Sequence, residues 1–197
     1  MIQEAKDVVD LWLTKYPAAG PWVDDNARTA LRCAETAWLD KFKGLHTLSR
    51  DQVHELLNWK WQGYGAKRSK SQNGVDDDWD HARGCIERAL AEVDPGKAID
   101  ALRWPTKGIP TWQTSTSSVV LSACQPDAYT VVDSYALRTF MMLEGKPQAT
   151  TDRVTYFERR HWLPYLATCL ELSQELSVSL RDLDRAFWAS AGRRVPV

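Results

Sequence analysis

Apolar residues recur along this chain three or four positions apart, the spacing of helical faces. Ile2, Ala5, Val8, Val9, Trp12, Leu13 and Tyr16 form the first stripe, and Pro17 and the turn-forming residues after it end it. A second stripe, Ala27, Ala30, Leu31, Ala34, Ala37, Trp38 and Leu39, follows Asp24 and Asp25, either of which can cap it. Ser49-Arg50-Asp51-Gln52 is a capping box for a helix carrying Val53, Leu56, Leu57 and Trp61. Gly63 to Asp78 is polar and rich in glycine and cations, and predicts a surface loop. A helix over roughly 77–93 carries Ala82, Cys85, Ile86, Ala89, Leu90 and Val93. Asp94-Pro95-Gly96 breaks it, and a short helix then holds Ala98, Ile99, Leu102 and Trp104. Asp133 opens a capped helix. A longer helical region runs from Thr151 to Leu176, kinked or restarted at Pro164, and the last begins at Ser179 and ends near Gly192. About nine helical segments and no convincing strand predict an all-α fold.

Residues 108–124 are the hardest to assign locally. Thr and Ser compete for backbone hydrogen bonds and Val favours strands, so periodicity does not decide between helix and strand there.

Composition narrows the function classes. The chain has 197 residues, enough for one or two compact lobes, with 44% hydrophobic and 26% charged residues. Its ten Trp are unusual, and most are expected in the core, with a few lining a cleft. No apolar run is long enough for a membrane span. The first residues carry acids and no apolar stretch behind a basic head, which predicts no secretory signal. Cys33, Cys85, Cys124 and Cys169 lack metal-ligand spacing and are expected as small buried thiols in a reducing compartment. His46, His54, His81 and His161 form no ligand pattern either, so neither a metal nor a cofactor is expected. With a net charge of −1, any nucleic-acid contact has to come from a local patch.

The informative stretch runs from Leu102 to Asp133. It contains a turn, Lys107-Gly108-Ile109-Pro110, then a small-residue segment from about Trp112 to Cys124. A loop over Gln125–Thr130 with Pro126 follows, then the doublet Val131-Val132 and Asp133. This succession resembles the core of the helix-hairpin-helix DNA glycosylase superfamily. More weakly, Leu57-Asn58-Trp59-Lys60 and the segment from Leu180 to Trp188 look like parts of small bacterial proteins related to 8-oxoguanine DNA glycosylase. The resemblance implies that 112–124 is a helix and that Asp133 is catalytic at the start of the next one. It also implies that the hairpin residues Lys107, Gly108, Ile109, Thr111 and Trp112 hold the DNA backbone, with a base flipped into a pocket.

Elementary chemistry runs in the same direction. A turn between two helices can aim peptide N–H groups at one phosphate without reading sequence. A carboxylate beside a breaking N-glycosidic bond can stabilise the cationic sugar or activate water. Two departures from the family pattern stand out. Pro110 replaces the second hairpin glycine and has no N–H. No Lys lies between Gly108 and Asp133, so a Lys-dependent lyase step is not expected. Read alone, Asp133 is also an ordinary N-cap and Gly108 an ordinary helix-terminating glycine. Lys60, Lys67, Arg68 and Lys70 lie in a stretch free of acid from Lys60 to Gly74, either a solvated segment or a set of DNA-backbone contacts. Trp59, Trp61 and Tyr64 are read as core; Trp112 is balanced between core and pocket lining.

The expectation is a two-lobed all-α protein. Residues 50–140 form a central lobe with the helix-hairpin-helix at about 98–124, and 1–49 with 141–197 form the other. The expected activity is hydrolysis of the N-glycosidic bond of a damaged or modified base, on double-stranded DNA, by a monomer in the cytoplasm, associated with the nucleoid. The alternative is a non-catalytic helix-hairpin-helix module that binds DNA or a protein.

Overall fold

The structure, a computed structural model, describes residues 1–16, 25–146 and 159–191. It is all-helical there: ten α-helices, one short 3-10 turn and no strand among the described residues. In chain order the helices are α1 (Ile2–Trp12), α2 (Asp25–Leu39), α3 (Arg50–Lys60), α4 (Gly65–Asp76) and α5 (Trp79–Ala91). Then come α6 (Pro95–Leu102), α7 (Thr114–Cys124), α8 (Ser134–Leu143), α9 (Arg159–Leu176) and α10 (Leu180–Ser190). None is long and apolar enough to cross a membrane. The expected residues 151–158 of the penultimate helix, the expected cap Asp24 and the expected stop at Gly192 lie outside the described residues.

Several helix starts follow from local chemistry. The Ser49 side chain accepts from Gln52 N–H while Gln52 accepts from Ser49 N–H, closing the capping box. Asp78, Asp94 and Ser179 cap α5, α6 and α10, and Pro95 supplies a first helical residue that needs no donor. Helix α9 is continuous through Pro164.

Contacts divide the chain into two compact units. One comprises 1–41, 130–157 and 164–197; the other comprises 42–129 and 158–163. In the first, α10 packs against α8 and α1 around Val8, Leu137, Phe140, Tyr165, Leu183 and Phe187. In the second, α5 packs on α6, and α7 is buried on nearly every side by α3, α5 and α6. The hydroxyl-rich stretch that periodicity left open is this buried helix. Its small side chains let the neighbouring helices come close.

Four sequence expectations fail. The predicted loop at 63–78 is helix α4 from Gly65 on, held by tertiary contacts described below. Trp104 leaves the short helix, which ends at Leu102, and stands 47% exposed. A residue before proline is driven out of the helical region, and Pro105 follows it. Helix α2 forms but faces the other way. Ala27, Ala30, Leu31, Ala34 and Ala37 are exposed, while Arg28, Arg32 and Glu35 are half-buried and anchored. Arg28 and Arg32 donate to the carbonyls of Lys15 and Leu13, and Glu35 accepts from Arg181 of α10. Ion pairing and carbonyl capture override the alanine stripe. Cys33 rides on the same outward face and is exposed, unlike the other three cysteines.

Candidate nucleic-acid interface and acidic residue

The α6–α7 turn, residues 103–113, belongs to the second unit. Gly108 is buried against the end of α6, where a Cβ would stand 2.3 Å from the carbonyl carbon of Leu102, so only glycine fits. The peptide groups around it are held from α5. The Cys85 thiol reaches the carbonyl of Lys107 at 3.4 Å, and His81 Nε2 lies 3.3 Å from that of Gly108. Burial raises the pKa of Cys85, and the charge and hydrogen bond of Arg88 work against that rise. A trans peptide sets its N–H opposite its carbonyl, so Gly108 N–H points away from Cys85.

The remaining donors are unevenly available. Ile109 N–H is spent on Leu102 O at 2.9 Å and Trp112 N–H on Ile109 O at 3.2 Å, and Pro110 has none. Ile109 and Trp112 are also fully buried. They are therefore structural parts of the turn and leave the set expected to face a phosphate. Trp112 is core, with no face left for a pocket. Gly108 and Thr111 N–H have no partner among the described residues, and Lys107 is exposed beside them.

The turn is bound to α4. Thr111 Oγ1 donates to Lys70 O at 2.8 Å and the Trp112 indole to Ser71 O at 3.0 Å. Gly74 lets the backbone of Pro110 approach so closely that a Cβ would sit 2.0 Å from its oxygen. Thr111 adopts a positive φ of 71°, which a β-branched residue rarely does. These bonds hold a largely exposed polar helix against the core, with only Ser71, Gly74 and Val75 buried. They also bring the acid-free stretch and the turn, far apart in sequence, onto neighbouring backbone.

Cations in this unit sort by element. Arg50 and His54 meet Asp76, Lys43 meets Asp127, Arg83 meets Asp80, and Arg103 and Arg159 share Asp100. Lys67, Arg68 and Lys70 of α4 and Lys107 of the turn have no carboxylate partner among the described residues (nor do Arg88 and Lys97, on α5 and α6). Lys60 Nζ lies 5.9 Å from the Trp61 ring centroid. Lys67 Nζ lies 5.2 Å from that of Trp61 and 5.3 Å from that of Tyr64. Tyr64, read as core from its sequence, is 56% exposed. Neither Tyr64 nor Trp104 stood out in the sequence as an exposed aromatic; only the proline after Trp104 hinted at it.

Asp133 belongs to the first unit. It caps α8, its Oδ1 accepting from Tyr135 N–H at 2.8 Å and Ala136 N–H at 2.9 Å, which leaves Oδ2 outside the cap. Around α8, Tyr135 meets Trp188 edge-on, and Thr139 donates to Phe187 O at 2.7 Å. Its carboxylate is close enough to influence Tyr165, fully buried in α9. Burial raises that phenol well above its ordinary value, and the neighbouring Cys169, Asp184 and Asp133 add to the rise. The same unit holds an ionic cluster. Glu35 accepts from Tyr16 at 3.0 Å, from Arg181 at 2.5 Å and from Arg185 at 3.1 Å, and Arg181 also pairs with Asp184. Among the described residues no group of His, Cys, Asp and Glu gathers as a metal site.

No family model matches the chain, and no curated protein or solved structure matches it either.

Proposed function

We propose that this chain is a monofunctional DNA N-glycosylase-like enzyme, hydrolysing the bond between deoxyribose and a damaged or modified base in duplex DNA. One observation carries the reading. Helix α6, a turn around a glycine too crowded for a side chain, a small-residue helix α7, a proline-containing loop and an aspartate N-cap follow one another over residues 95–133. That is the order of parts in the glycosylases which the sequence of 102–133 resembles. In this reading Gly108 and Thr111 N–H with Lys107 hold a phosphate. Asp133 uses its second oxygen to stabilise the sugar cation or to orient water. The absence of Lys between Gly108 and Asp133 removes the usual amine for a lyase step.

A second reading, a non-catalytic DNA-binding module, is favoured by the ordinary capping role of Asp133, whose Oδ1 is spent on the N–H groups of Tyr135 and Ala136. Excision assays on duplexes carrying a panel of altered bases, with Asp133→Asn beside the parent, separate the two. The enzyme reading expects base release from at least one duplex, an abasic product cut only by alkali, and loss of about 100-fold or more in Asp133→Asn. Salt-sensitive duplex binding without base release selects the binding module. No duplex binding by the folded protein ends both.

A further inference from the structure

We infer that Tyr64, Trp61 and Lys67 form a stacking platform for single-stranded DNA, a site separate from the turn and independent of any catalytic role for Asp133. The ring of Tyr64 is more than half exposed, at the junction between α3 and α4, where it makes no side-chain cap bond. Glycines flank it on both sides. A Cβ built at Gly63 or Gly65 meets nothing within 4 Å, so the backbone on either side of Tyr64 is uncrowded. Lys67 is shared between the two aromatic rings, near 5 Å from each centroid. With Arg68 and Lys70 it is free of carboxylate partners, and the chain from Lys60 to Gly74 contains no acid.

Exposed cations alone would suit any phosphate backbone. The exposed ring is what selects the partner. Duplex bases hide their faces in the stack, whereas unpaired bases offer theirs to an aromatic side chain. An exposed ring beside cations that have no carboxylate partner among the described residues matches an unstacked base and its adjoining phosphate. An acidic peptide would satisfy the lysines and leave the ring unused.

The test compares binding of the full chain to three probes at one salt concentration: an oligothymidylate, the same length of abasic single strand, and a blunt duplex. Tyr64→Ala is expected to weaken oligothymidylate binding by about 10-fold or more. Tyr64→Phe should restore most of it, and neither should change duplex binding by more than about twofold. Lys67→Ala should make the single-strand salt dependence shallower by about 0.7 in log–log slope. Lys107→Ala, in the turn, should weaken duplex binding and spare the oligothymidylate, so failure of this platform and failure of the glycosylase-like reading give different patterns. Equal binding of abasic strand and oligothymidylate, or an equal loss on duplex and single strand in Tyr64→Ala, overturns the platform. So does an unchanged oligothymidylate affinity in a Tyr64→Ala protein with parental circular dichroism.

Discussion

The indole N–H of Trp112 donates to the backbone carbonyl of Ser71 at 3.0 Å, joining the α6–α7 turn to helix α4 across 41 residues of sequence. Trp112 is fully buried, and its indole is a second donor to a carbonyl that already belongs to the backbone ladder of α4. Trp112→Phe should destabilise by about 0.5–1.5 kcal/mol, the worth of one hydrogen bond, since Ser71 O keeps its place in the backbone ladder of α4. Trp112→Ala should cost about 3–5 kcal/mol through the cavity. Urea unfolding monitored by circular dichroism measures both.

Two glycines of the same helix should behave oppositely. Gly74→Ala forces a Cβ into the oxygen of Pro110 and should cost about 1–3 kcal/mol. Gly65→Ala meets open space at the start of α4 and should be neutral or stabilise by about 0.4–1 kcal/mol. If both variants melt alike, the close packing of α4 on the turn is wrong.

Asp133→Asn keeps an oxygen able to cap α8, because Asn caps as well as Asp, whereas Asp133→Ala should lose about 1 kcal/mol. In the enzyme reading the Asn variant is folded and inactive. A thermal melt of Asp133→Asn within about 2 °C of the parent makes its activity interpretable, and a large fall would show that the cap at α8 depends on the charge of Asp133.

Glu35 reports on acid stability. Burial raises its pKa, but the charges of Arg181 and Arg185 and the hydrogen bonds from Arg181 and Tyr16 more than reverse this, so its carboxyl sits below the ordinary 4.5. A folded-state value below the unfolded one means the cluster contributes stability above pH 4.5 and loses it as pH falls through the folded value. Glu35→Gln should therefore lower stability at neutral pH, by up to about 3–5 kcal/mol, and flatten the fall below pH 5. Asp10→Asn, which removes the exposed pair with Lys6, should leave the acid profile and the stability unchanged, because solvent screens that pair. Equal acid slopes in the Glu35→Gln variant and the parent would exclude this role.

Much of the fold was legible because helix caps are local. Ser49 with Gln52, Asp94 with Pro95, Asp133 and Ser179 each need only residues a few positions on. Helix α4 was not legible, since it has no apolar period and its place comes from Thr111, Trp112 and Pro110. The orientation of α2 was hidden for a related reason: Arg32 and Glu35 find their partners in the chain before the helix and in α10, and no local pattern encodes that. At the candidate site, Asp133 as a cap could be read directly. The engagement of Ile109 and Trp112 could not, because it depends on where Leu102 and Ser71 lie after folding.

Helix α4 is too short and too polar to persist as an isolated peptide, so its order is on loan from the turn that grips it. Its amide protons are consequently a gauge of that grip. Any ligand that steadies Lys107 or Thr111 should slow deuterium uptake in residues 68–76, away from the point of contact. The molecule carries its own label-free reporter of occupancy.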